Sequence, residues 1–169
     1  PRGWGDQLEN YDPAFDQLPV RNVSWMSAQR YAEWRGKRLP TWQEWHVAIR
    51  GPQSFLAPWG DEPGDALSQT RTGRPTASGP APVGTHPVDT SPFGVMDGFG
   101  NVREWTALPF LSLVEGRVYP AAGSRVTVGY SWRNSKLADP WFGIEGVSEG
   151  KVPLVDLGIR CVKFPLEEK

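Results

Sequence analysis

The order of apolar and polar residues changes character twice along the chain. From Ser24, the stretch SWMSAQRYAEWRGKR sets Trp25, Ala28, Ala32 and Arg35 on one helical face, with Ser24 placed to cap the first turn and Gly36 to stop the last. LPTWQEWHVAIRG repeats the signal: Thr41 and Glu44 have capping-box spacing, Trp42, Trp45, Ala48 and Ile49 form an apolar stripe, and Gly51 and Pro52 end it. The spacing predicts helices over 25–35 and 41–50. Residues 1–22 show no period and include Pro1, Pro13 and Pro19, so they read as extended or irregular. Residues 52–100 are dominated by Gly, Pro, Ser, Thr and Asp and read as loop, with one short strand at 81–84. So long a loop needs packed tryptophans or a metal to hold it. NVREWTA and SRVTVGYSW read as short strands around a hairpin or long turn, 133–157 as irregular, and LGIRCVKF as a final strand. The expected class is α+β and loop-rich. Two helices pack through Trp25, Trp34, Trp42 and Trp45 on a small antiparallel sheet.

Composition narrows the function classes. The 169 residues suffice for one domain with its own core. A formal net charge of -1 offers no basic field for nucleic acid. No apolar run reaches the roughly 20 residues of a membrane helix, so no membrane span is expected. The chain starts at Pro1, so targeting and localisation are not legible. Nine tryptophans suit a core built from loops. The single cysteine, Cys161, makes neither an intrachain disulfide nor a C-x-x-C pair, and it reads as a buried free thiol.

The stretch DGFGNVREWT, 97–106, admits two readings on its residues alone. It is either a glycine turn before a strand, with Glu104 in a structural hydrogen bond, or a curled loop around a cation. Asp97 and Glu104 lie seven apart, and Gly98 and Gly100 permit the curl. Calcium takes six to eight hard oxygens, which carboxylates and main-chain carbonyls supply together. No Gly-Lys-Ser/Thr follows as in a phosphate loop, and no Gly-x-Ser-x-Gly elbow is present. His46 and His86, far apart in sequence, make no metal site by themselves.

Four segments in order resemble the formylglycine-generating enzyme (sulfatase-modifying factor) family. PVRNVSWMSAQRYAEWRGKRLPTWQEWHVAIRG, 19–51, is similar to that family's Pro-Val-x-Asn-Val-Ser-Trp and Gly-Lys-Arg-Leu-Pro-Thr-x-x-Glu-Trp patterns. SPFGVMDGFGNVREWT, 91–106, resembles its Phe-Gly-Leu-x-Asp-Met-x-Gly-Asn-Val-Trp-Glu-Trp-Thr. RVTVGYSWRN, 125–134, and LGIRCVK, 157–163, resemble Arg-Val-x-Arg-Gly-Gly-Ser-Trp and Leu-Gly-Phe-Arg-Cys. The resemblance implies a variant of the C-type lectin-like fold and a single domain over 1–169. It also implies an upstream strand with a Met-Gly motif. Only the residues before Pro19 precede the first segment, so the N-terminal strand region is expected to be missing from this sequence or to come from a second chain.

The same resemblance implies a Ca²⁺ site formed by the side chains of Asp97 and Glu104 and the carbonyls of Gly100 and Val102. It implies that the family's copper(I) chemistry is absent. That chemistry needs two cysteines five apart after the Gly-Ser-Trp motif, soft thiolates suiting Cu(I), and 133–157 contains none. Arg133, Asn134 and Trp141 stand there instead and offer polar and stacking groups for a ligand pocket. Cys161 matches the family's structural cysteine, whose partner position is Ala32 here. Two function classes follow. One is a catalytically degenerate, calcium-stabilised binding or accessory module for a protein or small-molecule ligand. The other is the substrate-binding part of an oxygen-dependent, non-haem-iron oxidoreductase resembling the sulfoxide synthases, with its iron ligands on a missing segment or a partner chain.

Overall fold

Capping fixes both helices where the sequence places them. The computed structural model describes residues 13–61, 68, 70, 78–114, 117–134, 143–148 and 155–163. In it α1 spans Trp25–Trp34, and the Ser27 amide donates to Ser24 Oγ at 3.1 Å. Helix α2 spans Trp42–Arg50 behind a complete capping box. The Glu44 amide donates to Thr41 Oγ1 at 3.2 Å and the Thr41 amide donates to Glu44 Oε2 at 2.8 Å. Both caps satisfy amides that a bare helix start would leave without partners.

Between the helices, β1 (Lys37–Arg38) pairs antiparallel with β6 (Val162–Lys163), which brings residues 162–163 near α1. The main sheet comprises β2 (Arg103–Val114), β3 (Arg117–Val128), β4 (Glu145–Ser148) and β5 (Leu157–Ile159), in the order β4-β3-β2-β5. Strand β3 runs antiparallel to β2 and β4, while β5 lies parallel to β2. The two long strands extend well beyond the short ones expected. Their outer halves, past the residues flanked by β4 and β5, pair only with each other among the described residues. This ribbon contains Pro109 and Pro120, and its register shifts on both sides of Pro109. Proline lacks the amide a regular ladder needs. Leu111 and Val118 on the ribbon are exposed.

Three sequence expectations give way to packing. No strand forms at 81–84, because its amides go elsewhere: Ala81 N donates to Asn101 Oδ1 at 3.0 Å, Gly84 N to Asp97 Oδ2 at 2.6 Å and Val83 N to Gln17 O at 2.7 Å. Strand β4 lies inside the stretch expected to be irregular. Its glycine is a packing requirement, since a Cβ on Gly146 would stand 2.5 Å from the Phe110 ring. Trp34 is 76% exposed and outside the core. Helix α1 buries its small residues Ala28 and Ala32, and Trp34 points away with Tyr31, their ring centroids 5.9 Å apart.

Two apolar clusters hold the fold. Trp45 and Ile49 of α2 meet Phe99, Val126, Val128 and Tyr130. Ala28 and Ala32 of α1 meet Leu39, Trp105, Val147 and Leu157. Indole N–H groups tie the helices and strands across these clusters. Trp25 donates to Thr106 O at 2.8 Å, Trp105 to Val23 O at 2.9 Å, and Trp45 to Glu104 Oε2 at 2.7 Å. A buried indole wants such a partner.

Gly98 lies against Ile49 so closely that a Cβ would meet its Cδ1 at 2.3 Å. Gly98→Ala is therefore expected to cost about 1–3 kcal/mol of stability by overpacking. Gly79→Ala, where a Cβ meets nothing within 4 Å, is the matched control. Urea denaturation of both variants checks this, and equal midpoints would disprove it.

Candidate functional site

The loop before β2 is organised by a residue the sequence reading passed over. Asp89 is 1% exposed. Its Oδ1 accepts from Phe99 N at 2.9 Å and its Oδ2 from Gly100 N at 3.1 Å, while its carbonyl accepts from Asp97 N at 2.9 Å. The tight backbone positions are not the glycines expected. Asp97 at φ 55° and Asn101 at φ 71° take the left-handed conformation, which short polar side chains tolerate. Asn101 then clamps Ala81 from both sides, accepting from its amide and donating to its carbonyl at 3.1 Å.

Glu104 is 4% exposed and fully engaged. Besides Trp45, Arg160 grips it through Nε at 3.0 and 3.2 Å and through Nη2 at 2.9 Å, and the same Nη2 donates to Met96 O at 2.9 Å. The structural hydrogen bond foreseen for Glu104 is thus present. Burial works against the Arg160 charge, yet Glu104, then Asp97 and Asp89, hold its pKa above the usual arginine value. Burial pushes the Asp89 carboxyl up to about 6, with Asp97 adding repulsion against the pull of its two amide donors and of Arg160. Three carboxylates therefore act on one guanidinium, an excess of two negative charges when all are ionised. Asp97 Oδ1 is buried and accepts no hydrogen bond.

That donor set fits a hard divalent cation. It offers an unsatisfied carboxylate oxygen, an excess of negative charge, and oxygen chemistry throughout. Among the described residues no three His, Cys, Asp or Glu side chains converge on one point, so an ion would also need the carbonyls of Gly100 and Val102 and a share of Glu104.

The turn after β3 is closed by a second polar network. Ser131, fully buried, donates from Oγ to Asp156 Oδ2 at 2.8 Å, and Asn134 Oδ1 accepts from Ser131 N at 2.8 Å. Arg103 bridges Glu145 at 2.6 Å and Asp156 at 3.3 Å. The Asn134 carbonyl oxygen is therefore spent on holding the turn. Arg133 is exposed, its guanidinium 5.7 Å from the Trp132 ring centroid, and Trp141 lies outside the described residues. Cys161 is free and half-buried rather than buried, and burial raises its thiol pKa. His46 packs between Trp42 and Trp45, with ring centroids at 5.5 and 5.7 Å, and His86 is buried in the loop before Asp89. No helix among the described residues is long and apolar enough to cross a membrane.

The profile of a family described as "Sulfatase-modifying factor enzyme 1-like domain" matches residues 5–164. The inactive C-alpha-formylglycine-generating enzyme 2 of Mus musculus is 37% identical over 126 residues, covering 69% of this chain and 38% of its own length. The hercynine oxygenase of Mycobacterium tuberculosis is 38% identical over 128 residues, covering 68% of this chain and 29% of its own length. The chain thus spans well under half of these relatives. The structure of PvdO from Pseudomonas aeruginosa aligns with a TM-score of 0.65 at 20% identity, over 86% of this chain and 61% of that one. That likeness concerns the fold alone.

Asp89 gives stability a pH signature. Its folded pKa of about 6 lies above the ordinary 3.8, so the folded state holds the proton more tightly. The contribution is complete below the lower value and is lost as pH rises through the higher one. With EDTA present, this contribution to the unfolding free energy is expected to fall by about 3 kcal/mol between these values, and Asp89→Asn should remove it from the slope. Glu44, held down to about 2 first by its hydrogen bond with Arg38, slopes the other way but only below its ordinary 4.5. Denaturant titrations across pH check this; a parallel slope in the variant would refute it.

Proposed function

The chain belongs to the sulfatase-modifying factor enzyme 1-like family, and on that premise we propose that it is a catalytically degenerate member, acting as a calcium-stabilised binding or accessory module. One observation carries the proposal. The segment after Ser131-Trp132, where the family's copper(I) cysteine pair belongs, has no cysteine, and its first residues are spent on a hydrogen-bonded turn. A thiolate pair is what makes copper(I) binding and cysteine oxidation possible. Cys161, a single half-buried thiol with a raised pKa, offers no substitute. The likeness to a relative named as inactive agrees with this reading.

Calcium, when bound, would supply a fixed positive charge to the loop. Asp97, Glu104 and the carbonyls of Gly100 and Val102 are its proposed ligands. Asp89 orders the loop through the Phe99 and Gly100 amides, and Arg160 holds Glu104 in place. Arg133, Asn134 and Trp141 are the proposed contacts for a protein or small-molecule ligand. The similarity to a hercynine oxygenase favours a second reading, the substrate-binding part of a non-haem-iron oxidoreductase. That reading needs iron ligands from another segment or a partner chain.

Two measurements bear on these proposals. At a hundredfold excess over its dissociation constant, Ca²⁺ should add about 2.7 kcal/mol of stability and raise the melting temperature. An unchanged melting temperature with EDTA, and no heat in calorimetry, would leave only a turn. Incubated with copper(I), oxygen, reductant and a sulfatase-type cysteine peptide, the chain should leave the peptide mass unchanged. Conversion of the thiol to an aldehyde would refute the degenerate reading.

A further inference from the structure

A cavity of about 950 Å³ lies between residues 18–23, α1, the loop around 83–102 and residues 159–161. Its size is that of a small-molecule site, roughly 300–1,000 Å³. Leu18, Val20, Val23, Tyr31, Val83 and Met96 give it apolar walls. Val20, Tyr31 and Val83 are exposed at the surface.

The polar groups lining this cavity differ in whether their bonding capacity is already used. Glu104 is saturated by Trp45 and Arg160. Asp97 Oδ2 accepts from Gly84 N and its Oδ1, though without a partner, is buried away from the cavity surface, while the Asn101 amide closes on Ala81. The open groups are donors. Arg160 uses Nε and Nη2, and its Nη1 makes no hydrogen bond among the described residues. The Tyr31 hydroxyl and the Lys37 ammonium likewise have no partner there. The charge on Arg160 is already answered by Glu104, Asp97 and Asp89, whereas that on Lys37 is not. The Lys37 and Arg35 charges both reach the neighbouring Cys161 thiol.

An uncompensated cation and spare donors beside apolar walls call for an anion on an apolar body. We propose that this cavity binds a small monocarboxylate with an aliphatic or aromatic body, its carboxylate held by Lys37 with Arg160 Nη1 as the second donor. This rests on the binding-module reading and adds to it a second site, which includes neither Arg133 nor Asn134. Charge-assisted hydrogen bonds of this kind are about twice as strong as neutral ones.

Isothermal calorimetry of the full chain with octanoate, octanol and octylamine tests the head group on a constant body. Octanoate should bind at least about tenfold more tightly than either of the others. Lys37→Met, which keeps the apolar stem, should lose about tenfold in octanoate affinity at an unchanged melting temperature, and Lys37→Arg should retain it. Octanoate binding no better than octanol, preference for octylamine, full affinity in Lys37→Met, or no binding of any of the three would each overturn the proposal. None of those results touches the degenerate-enzyme reading, which the peptide and calcium experiments decide separately.

Discussion

A carboxylate removed from water must be surrounded by donors or give up its charge, and Glu104 is the group on which that constraint falls here. Its donors come from distant parts of the chain. Trp45 belongs to α2, and Arg160 to the segment between β5 and β6. Through Met96 O the same arginine also holds the loop before β2. Removing one partner from such a buried pair costs about 3–5 kcal/mol, far more than the pair contributes against an apolar replacement. Helix, sheet and loop therefore stay in register together. Each needs the others to keep one charge solvated.

What could be read from the sequence follows the range of the interactions. The helix starts were legible because a cap is decided within four residues, and Ser24, Thr41 and Glu44 carry it in their own side chains. The family resemblance gave the fold because it joins four segments at once. The length of β2 was not legible, since an apolar run interrupted by Pro109 fits a loop as well as a ribbon. Trp34 was assigned to the core by its residue type, but Ala28 and Ala32 set which face of α1 lies against the sheet. In the loop before β2, Asp97 and Glu104 drew attention because they flank glycines in a short stretch. Asp89 and Arg160 were missed because their partners lie 10 and 56 residues away, with no local period to announce them.

The turn at 131–134 is tied down without any thiol. Ser131, Asn134, Asp156 and Arg103 close it with hydrogen bonds and ion pairs of ordinary length. Scaffold and chemistry are separable, so a fold of this kind can keep its shape while its site changes use. The loop proposed for calcium and the cavity beside Lys37 share Asp97, Val102, Glu104 and Arg160.

Among the described residues, the outer half of the β2–β3 ribbon has strand edges that pair with no third strand, and Leu111 and Val118 on it are exposed. Edges like these invite a neighbouring molecule to add its own strand, which is how sheets grow into fibrils. Pro109 and Pro120 carry no amide to offer such a neighbour, and the ladder shifts register beside Pro109. The prolines that obscured the strands in the sequence are thus gatekeepers. They cost the ribbon some regularity, and in return they discourage the protein from polymerising through its most extended element.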